Sequence, residues 1–155
     1  AMLKRIAAAK VADAPSVTLW GDGSPTRDFL HAEDAARGIV DLAGTSMAAF
    51  ETWRPYVVNF GTGVEHAMST VAHSLATILG YEGTILWDLT KPNGQARRAL
   101  DTTRARALGW QPNIALDRGL RRLVAWYLAQ IDASQRAVFP AFGEPDHMGD
   151  GDGWG

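Results

Sequence analysis

The chain has no cysteine among its 155 residues, and this absence excludes several kinds of chemistry. Disulfide bonds, thiolate nucleophiles and zinc sites with cysteine ligands all require that side chain. Proteins without disulfides are typical of the cytosol, so we expect a cytoplasmic location. No hydrophobic run approaches the roughly 20 residues that span a bilayer, and we therefore expect no membrane partner.

Strong charge of either sign is also missing. The chain has 15 basic and 17 acidic residues, a formal net charge of −2 and an isoelectric point of about 6.1. Because proteins bind nucleic acids largely by neutralising phosphates with basic residues, we expect no nucleic-acid partner. The four histidines lack the spacing of metal ligands, and Met148 interrupts the calcium-loop pattern of the C-terminal carboxylates, so we expect no metal site.

Apolar periodicity and turn residues divide the chain into alternating helices and strands. Helical spacing and end signals predict helices over residues 1–10, 33–43, 68–79, 103–108 and 116–131. Apolar or β-branched runs between turn residues predict extended segments over residues 17–20, 27–31, 56–60, 84–87 and 97–101. Glu33 and Asp34 fall in the first turn of the second helix, where acids suit the positive end of the helix dipole. The alternation is typical of an α/β fold.

The length suits one domain with a hydrophobic core, since domains usually have roughly 100–200 residues. We predict that residues 1–131 form one α/β domain and that residues 132–155 form a tail. The tail is rich in glycine towards its end, which argues against regular structure there.

Six short motifs follow one another along the first 131 residues. They are Trp-Gly-x-Gly-x-Pro-x-Arg-x-Phe-Leu-His at 20–31, Asn-Phe-Gly-Thr-Gly at 59–63, Gly-Tyr-Glu-Gly at 80–83, Lys-Pro-Asn-Gly at 91–94, Asp-Thr-Thr-Arg followed by Leu-Gly-Trp-x-Pro at 101–112, and Trp-Tyr-Leu at 126–128. Each is weak alone, but their order and spacing resemble the NAD(P)-dependent nucleotide-sugar epimerases and dehydratases of the extended short-chain dehydrogenase family. Within that family the Lys-Pro-x-Gly loop is most like the GDP-L-fucose synthase subfamily.

The resemblance implies the C-terminal, substrate-binding part of such an enzyme, lacking the N-terminal Rossmann portion that binds the dinucleotide. The family's glycine-rich dinucleotide loop has no counterpart, and none of the three tyrosines has a lysine four residues on. We therefore expect no catalytic residue and no cofactor bound by this chain alone, with NADP(H) implied for the complete enzyme. The implied function is the nucleotide-sugar-binding half of an epimerase/reductase, and a GDP-sugar is the favoured ligand.

The resemblance assigns Arg27 to the pyrophosphate of the sugar nucleotide. A planar guanidinium can bind such a group with two hydrogen bonds. The alternative is a surface arginine that pairs with Asp28 or Glu33.

Four further residues match substrate-binding positions of the family. Arg98 is favoured for the diphosphate, but Arg97 competes with it, because neighbouring side chains in a strand face opposite ways and the register is open. Lys91 in the Lys-Pro-Asn-Gly loop and Arg5 on the first helix are alternatively solvated surface charges. Trp20 is alternatively a core residue at a strand end.

Two hypotheses about the molecule stay open. In the first, the chain is half of an enzyme and exposes an apolar face where a Rossmann domain docks. The half is either a fragment of a longer chain or a split-gene product whose partner chain carries the Rossmann domain. In the second, it is a non-catalytic remnant that binds a nucleotide or self-associates as a homo-oligomer.

Two helix starts lack the usual cap. Ala67 and Ala115 stand where the family has serine or threonine, and the loss of such a cap costs typically about 1 kcal/mol.

Overall fold

A computed structural model describes residues 2–50 and 53–140 of the chain. Within these ranges the helices and strands follow in the order α1 (Met2–Val11), β1 (Ser16–Trp20), β2 (Thr26–Asp28), α2 (Ala32–Ala43), a 3-10 turn (Met47–Phe50), β3 (Glu65–Ala67), α3 (Met68–Leu79), β4 (Thr84–Asp88), β5 (Arg97–Arg98), α4 (Thr103–Ala107), α5 (Leu116–Ala129) and α6 (Ala133–Arg136). The predicted α/β fold is confirmed.

The strands form two small sheets. β1 and β4 are parallel, with their carboxyl ends together, so that Trp20 lies opposite Asp88. In the second sheet β2 is central: it runs antiparallel to β3 and parallel to β5. Arg27 in β2 therefore lies between His66 on one side and Arg98 on the other.

The core lies between the first sheet and three helices, since α3 contacts both α1 and α5, and α1 contacts β1. Val17 and Leu19 alternate inward from β1. Ile6, Leu79 and Val124 are completely buried, and side chains of this size stabilise a fold by about 1.5–3 kcal/mol each when fully buried. Phe139, in the first part of the predicted tail, also packs into this core.

Asp34 fastens the segment before α5 to α2. Its side chain is only 2% exposed, and its carboxylate accepts hydrogen bonds from the amides of Asn113 and Ile114 at 2.9–3.0 Å. Arg37 donates to the same carboxylate at 2.7 Å. The Asp34 carboxylate, whose charge suits the helix dipole, thus also joins two parts of the chain that are about 80 residues apart.

The predicted strand at residues 56–60 is wrong for the described chain, because it pairs with no strand there. The short strand β3, by contrast, is not predicted from the sequence. The extended segments predicted at 27–31 and 97–101 shorten to three and two paired residues. Residues 141–155, with their glycines and carboxylates, lie outside the described residues, and the division at residue 131 stays a prediction. Across the described ranges, no helix combines the length and apolarity needed to cross a membrane.

The missing caps are confirmed, but their consequences differ. Neither Ala67 nor Ala115 makes a side-chain cap bond. At α3, however, the carbonyls of Pro25 and Gly23 accept from the first two helical amides at 2.9 Å, which replaces part of what a cap supplies.

We expect Ala115→Ser to raise the free energy of unfolding by about 1 kcal/mol, and Ala67→Ser to raise it by less. The reason is that the serine hydroxyl at position 115 would accept a hydrogen bond from the Asp117 amide, which has no backbone acceptor among the described residues. Urea denaturation of both variants measures the difference, with Ala36→Ser in the middle of α2 as the control. An equal rise in the free energy of unfolding of both variants would contradict this explanation of the two caps.

Candidate functional site

Two loops run side by side between the two sheets. One joins β1 to β2 and the other joins β4 to β5, and because β1 pairs with β4 and β2 with β5, the loops begin and end together. Where they begin, the Gly21 amide donates to the Asp88 carbonyl at 3.1 Å; where they end, the Thr26 amide donates to the Ala96 carbonyl at 2.9 Å. Four of the five predicted substrate-binding residues lie in or next to these loops: Trp20, Arg27, Lys91 and Arg98.

Asn93 ties the two loops together in the middle. Its Oδ1 accepts from the Asp22 amide at 2.8 Å. Gly21 has a φ of +80°, and a Cβ there would lie 2.3 Å from the same Oδ1. Gly23 has a φ of +75°, and a Cβ there would meet the Trp87 ring at 2.5 Å. Both glycines of the Gly-x-Gly motif are therefore required by backbone conformation and close packing.

Arg27 is half-buried, and its guanidinium is held at the ends of both loops. Nη1 donates to the Thr26 carbonyl at 2.6 Å. Nη2 lies 3.8 Å from the position that a Cβ on Gly94 would occupy. The guanidinium is thus next to the Lys-Pro-Asn-Gly loop.

Asp28 and Glu33, the two acidic residues that could form a surface ion pair with Arg27, bind other groups. The Asp28 carboxylate accepts from the amides of Thr62 and Gly63 at 3.0 Å. Glu33 binds Arg122 at 2.6 Å. Arg27 forms no ion pair within the ranges that the structure describes, which argues against the surface-pair alternative.

The register separates Arg97 from Arg98. Arg98 lies opposite Arg27, so the two side chains share one face of the sheet. Arg97 faces the other way and donates through Nε to Glu65 at 2.8 Å. Arg97, and after it the Thr26 hydroxyl, hold the pKa of Glu65 below its ordinary value. Of the two arginines, only Arg98 is on the Arg27 face.

Trp20 and Arg5 form a pair at the carboxyl end of β1. The Arg5 guanidinium carbon lies 5.2 Å from the centre of the Trp20 ring, and Nη1 donates to the Thr18 carbonyl at 2.9 Å. The Trp20 side chain is nevertheless 63% exposed. It is therefore not a core residue, and its ring makes a cation–π contact with Arg5.

Lys91 is exposed in the turn that follows β4, where its amide donates to the Asp88 carbonyl at 3.1 Å. The Thr90 hydroxyl and amide lower the pKa of the Asp88 carboxyl, and the Lys91 charge adds to this effect. Lys91 thus stands beside a carboxylate that offsets part of its charge.

Two residues join the site without having been predicted in it. His66 lies opposite Arg27 in β3, on the same face. It was missed because β3 itself was not predicted. Asn93 belongs to the Lys-Pro-Asn-Gly motif but was not predicted as a site residue. Its position between Lys91 and Gly94 could have indicated that it lies in the site.

An apolar cleft of about 690 Å³ lies elsewhere, between α5 and the segment that leads into α2. None of the five predicted residues lines it. Arg122 at its wall is paired with Glu33, so the cleft does not suit a diphosphate. Among the described residues no three histidine, aspartate or glutamate side chains are grouped as a metal ion would require.

Comparison with known proteins agrees with this arrangement of motifs. Residues 1–58 match the NAD dependent epimerase/dehydratase family. The chain is 36% identical over 138 residues to the GDP-L-fucose synthase of Escherichia coli K12, covering 85% of this chain and 42% of that protein. It is 36% identical over 131 residues to GDP-L-fucose synthase 1 of Arabidopsis thaliana, covering 84% of this chain and 39% of that protein.

The fold matches as well. The GDP-mannoheptose C4 reductase MlghC of Campylobacter jejuni, solved with NADP bound, superposes with a TM-score of 0.71 at 24% identity, over 81% of this chain and 43% of that one. This likeness concerns the fold alone. The chain spans about two fifths of the length of the curated relatives it matches. Residues 1–58 are therefore similar to the NAD dependent epimerase/dehydratase family, and the chain is similar to part of the GDP-L-fucose synthases.

Proposed function

We propose that this chain is the nucleotide-sugar-binding part of an epimerase/reductase, and that Arg27 and Arg98 bind the diphosphate of a GDP-sugar. The observation that carries the proposal is the pairing of two arginines side by side on one sheet face. Arg97, the neighbouring residue in β5, lies on the other face of the sheet, where the Glu65 carboxylate neutralises its charge.

Electrostatics supports a ligand between the two arginines. Like charges directly opposite each other on neighbouring strands destabilise a sheet, and the strands are only about 4.8 Å apart. An anion with several oxygens relieves this repulsion and accepts hydrogen bonds from both guanidinium groups. A diphosphate has the charge and the number of acceptors that the pair requires.

The other predicted residues surround this centre in a way that suits a nucleotide. Lys91 adds an exposed positive charge at the second loop, and the Trp20 ring with Arg5 over it offers a surface on which a base or ribose can pack. GDP is the favoured nucleotide because the curated relatives are GDP-L-fucose synthases.

The chain's own residues do not fit a dinucleotide pyrophosphate. Such a site needs free amides at a glycine-rich turn between a strand and a helix. Here the Thr62 and Gly63 amides bind the Asp28 carboxylate, and the Asp22 amide binds Asn93. We infer that NADP(H) and the reacting groups belong to the portion of the family that this chain does not contain.

The role of this part is then to position the substrate. Binding energy from the diphosphate, far from the reacting carbons, fixes the sugar against the nicotinamide and so contributes to the rate. The chain alone is catalytically incomplete. We also propose that the protein is cytoplasmic. The matches to GDP-sugar enzymes do not favour the second hypothesis, in which the chain is a non-catalytic remnant.

The neighbouring arginines give the proposal a matched test. We expect Arg98→Ala to weaken GDP binding about ten- to a hundredfold, the cost of losing charged hydrogen bonds, and Arg97→Ala to leave the affinity nearly unchanged. Calorimetric titration of the two variants measures both. Equal losses would show that only overall charge matters, and an unchanged affinity in Arg98→Ala would overturn its assignment.

A further inference from the structure

His66 is the third member of a row of basic side chains that crosses the second sheet. It lies opposite Arg27 in the antiparallel pair β2–β3, and Arg98 lies opposite Arg27 in the parallel pair β2–β5. Residues directly opposite each other on neighbouring strands point to the same face. The row therefore runs about 10 Å across the sheet, with Arg27 in the middle and His66 at the end away from Arg98.

The two faces of this sheet differ in charge. On the other face, Glu65 accepts hydrogen bonds from Arg97 at 2.8 Å and from the Thr26 hydroxyl at 2.7 Å. The Asp28 carboxylate lies opposite Glu65 in the register and binds two backbone amides of the loop before β3. Because side chains alternate along a strand, neither carboxylate of β2 and β3 is on the face of His66.

The imidazole of His66 has both ring nitrogens available for a ligand. His66 is half-buried, and within the described residues its side chain makes no hydrogen bond or ion pair. The other two described histidines each use a ring nitrogen locally. His31 Nδ1 accepts from the Glu33 amide at 3.2 Å, and His73 Nδ1 lies 2.8 Å from the Ser69 carbonyl oxygen.

The charged groups around His66 are basic. β3 packs against β2 and α3, and α3 has no acidic or basic residue other than His73. On the face of His66, β2 contributes Arg27 and β5 contributes Arg98, while Lys91 stands in the turn after β4. Because like charges on neighbouring strands repel each other, a positive imidazole on this face is favourable when an anion lies over the row.

We propose that His66 is a third side chain of the nucleotide-sugar site, and that its protonated imidazole donates a hydrogen bond to the diphosphate held by Arg27 and Arg98. The inference deepens the proposed function and rests on it. A histidine changes its charge near neutral pH, whereas an arginine stays charged. The affinity for the sugar nucleotide therefore falls as the pH rises, because the imidazole loses the proton with which it binds.

Titration calorimetry of the full 155-residue chain with GDP-mannose, from about pH 5.5 to about pH 8, tests this assignment. GDP-mannose is the suitable probe because its diphosphate carries a substituent at each end and keeps its charge over this range. The terminal phosphate of free GDP, by contrast, takes up a proton near about pH 6. We expect the wild-type chain to bind about tenfold more weakly at the upper end of the range. Titrations in two buffers with different enthalpies of ionisation should show proton uptake on binding.

Three substitutions separate the charge of the imidazole from the rest of the fold. His66→Gln supplies a neutral donor, so it should bind like the wild type at the upper pH and lose most of the pH dependence. His66→Lys keeps a positive charge and should bind tightly at both ends of the range. His73→Gln is the matched control, since His73 is an exposed histidine on α3, and it should keep the wild-type pH profile. Circular dichroism checks that each variant is folded.

Other results overturn the proposal. An unchanged pH profile in His66→Gln, or binding to the wild type without proton uptake, would remove His66 from the site. An equal loss of affinity in His66→Gln and His66→Lys at every pH would mean that this residue acts only through the packing of β3.

Failure of this inference is distinguishable from failure of the nucleotide site. If Arg27→Ala abolishes GDP-mannose binding while the His66 variants keep the wild-type pH profile, the proposed function stands and the role of His66 is refuted. Absence of GDP-mannose binding to the wild-type chain at every pH would contradict the proposed function, and the role of His66 with it.

Discussion

Replacing Asp34 with alanine is expected to lower the free energy of unfolding by about 3 kcal/mol. The variant would leave the amides of Asn113 and Ile114 without their acceptor, and Arg37 would lose the carboxylate that it contacts at 2.7 Å. Because these amides hold the segment that precedes α5, the loss reaches a helix of the core. Urea denaturation at pH 7 measures the change.

The effect should depend on pH in a definite direction. Burial by itself raises the pKa of Asp34, but the hydrogen bonds from Arg37, Asn113 and Ile114 outweigh it and keep the pKa below the ordinary value of 3.8. The charged form is therefore the one that stabilises the fold. Its contribution is complete above about pH 3.8 and is lost as the pH falls through the lower folded-state pKa.

The stability difference between the wild-type protein and Asp34→Ala should accordingly narrow in acid. Asp41→Ala is the matched control, since Asp41 lies on the same helix, is more than half exposed and approaches Arg37 only to 4.0 Å. Equal losses in the two variants at pH 7, or a difference that widens in acid, would contradict the role given to Asp34.

Replacing Arg27 with alanine is expected to weaken GDP binding by about a hundredfold or more, because two charged hydrogen bonds are lost together. The Thr26 carbonyl holds the guanidinium in place, so little side-chain entropy remains to be lost when a ligand binds. Arg27→Lys should recover only part of the affinity, since an ammonium lacks the planar pair of donors.

Calorimetric titration of the three proteins checks this expectation, and circular dichroism checks that each variant is folded. Full recovery in Arg27→Lys would mean that Arg27 acts as a point charge only. Unchanged affinity in a folded Arg27→Ala protein would remove Arg27 from the site.

Local signals predicted the longer helices well, but not the short helix α6 at Ala133–Arg136. The bounds predicted for α3, residues 68–79, are those observed, because a regular apolar stripe and the left-handed Gly80 define it locally. Trp110, which follows α4, is buried. Short-range periodicity suffices where one helix buries one face against the core.

Features that depend on distant pairing could not be predicted. β3 has three residues of mixed polarity, Glu65–Ala67, and exists only because β2 is next to it. Residues 56–60 show the opposite case, with strand composition and no partner in the described chain. The choice between Arg97 and Arg98 depended on register, which the sequence of a two-residue strand does not contain.

Asp34 shows the same limit for a polar side chain. Its position in the first turn of α2 indicated a favourable interaction with the helix dipole. Its bonds to residues 113 and 114 could not be read from local pattern, because they depend on how α2 and α5 meet in space.

The most direct test of the central claim is a calorimetric titration of the wild-type chain with GDP, UDP and dTDP. We expect saturable binding of one nucleotide per chain, with GDP preferred and with affinity that falls as ionic strength rises. Absence of binding for all three nucleotides would contradict the claim that the face formed by Arg27 and Arg98 is a nucleotide diphosphate site in this chain.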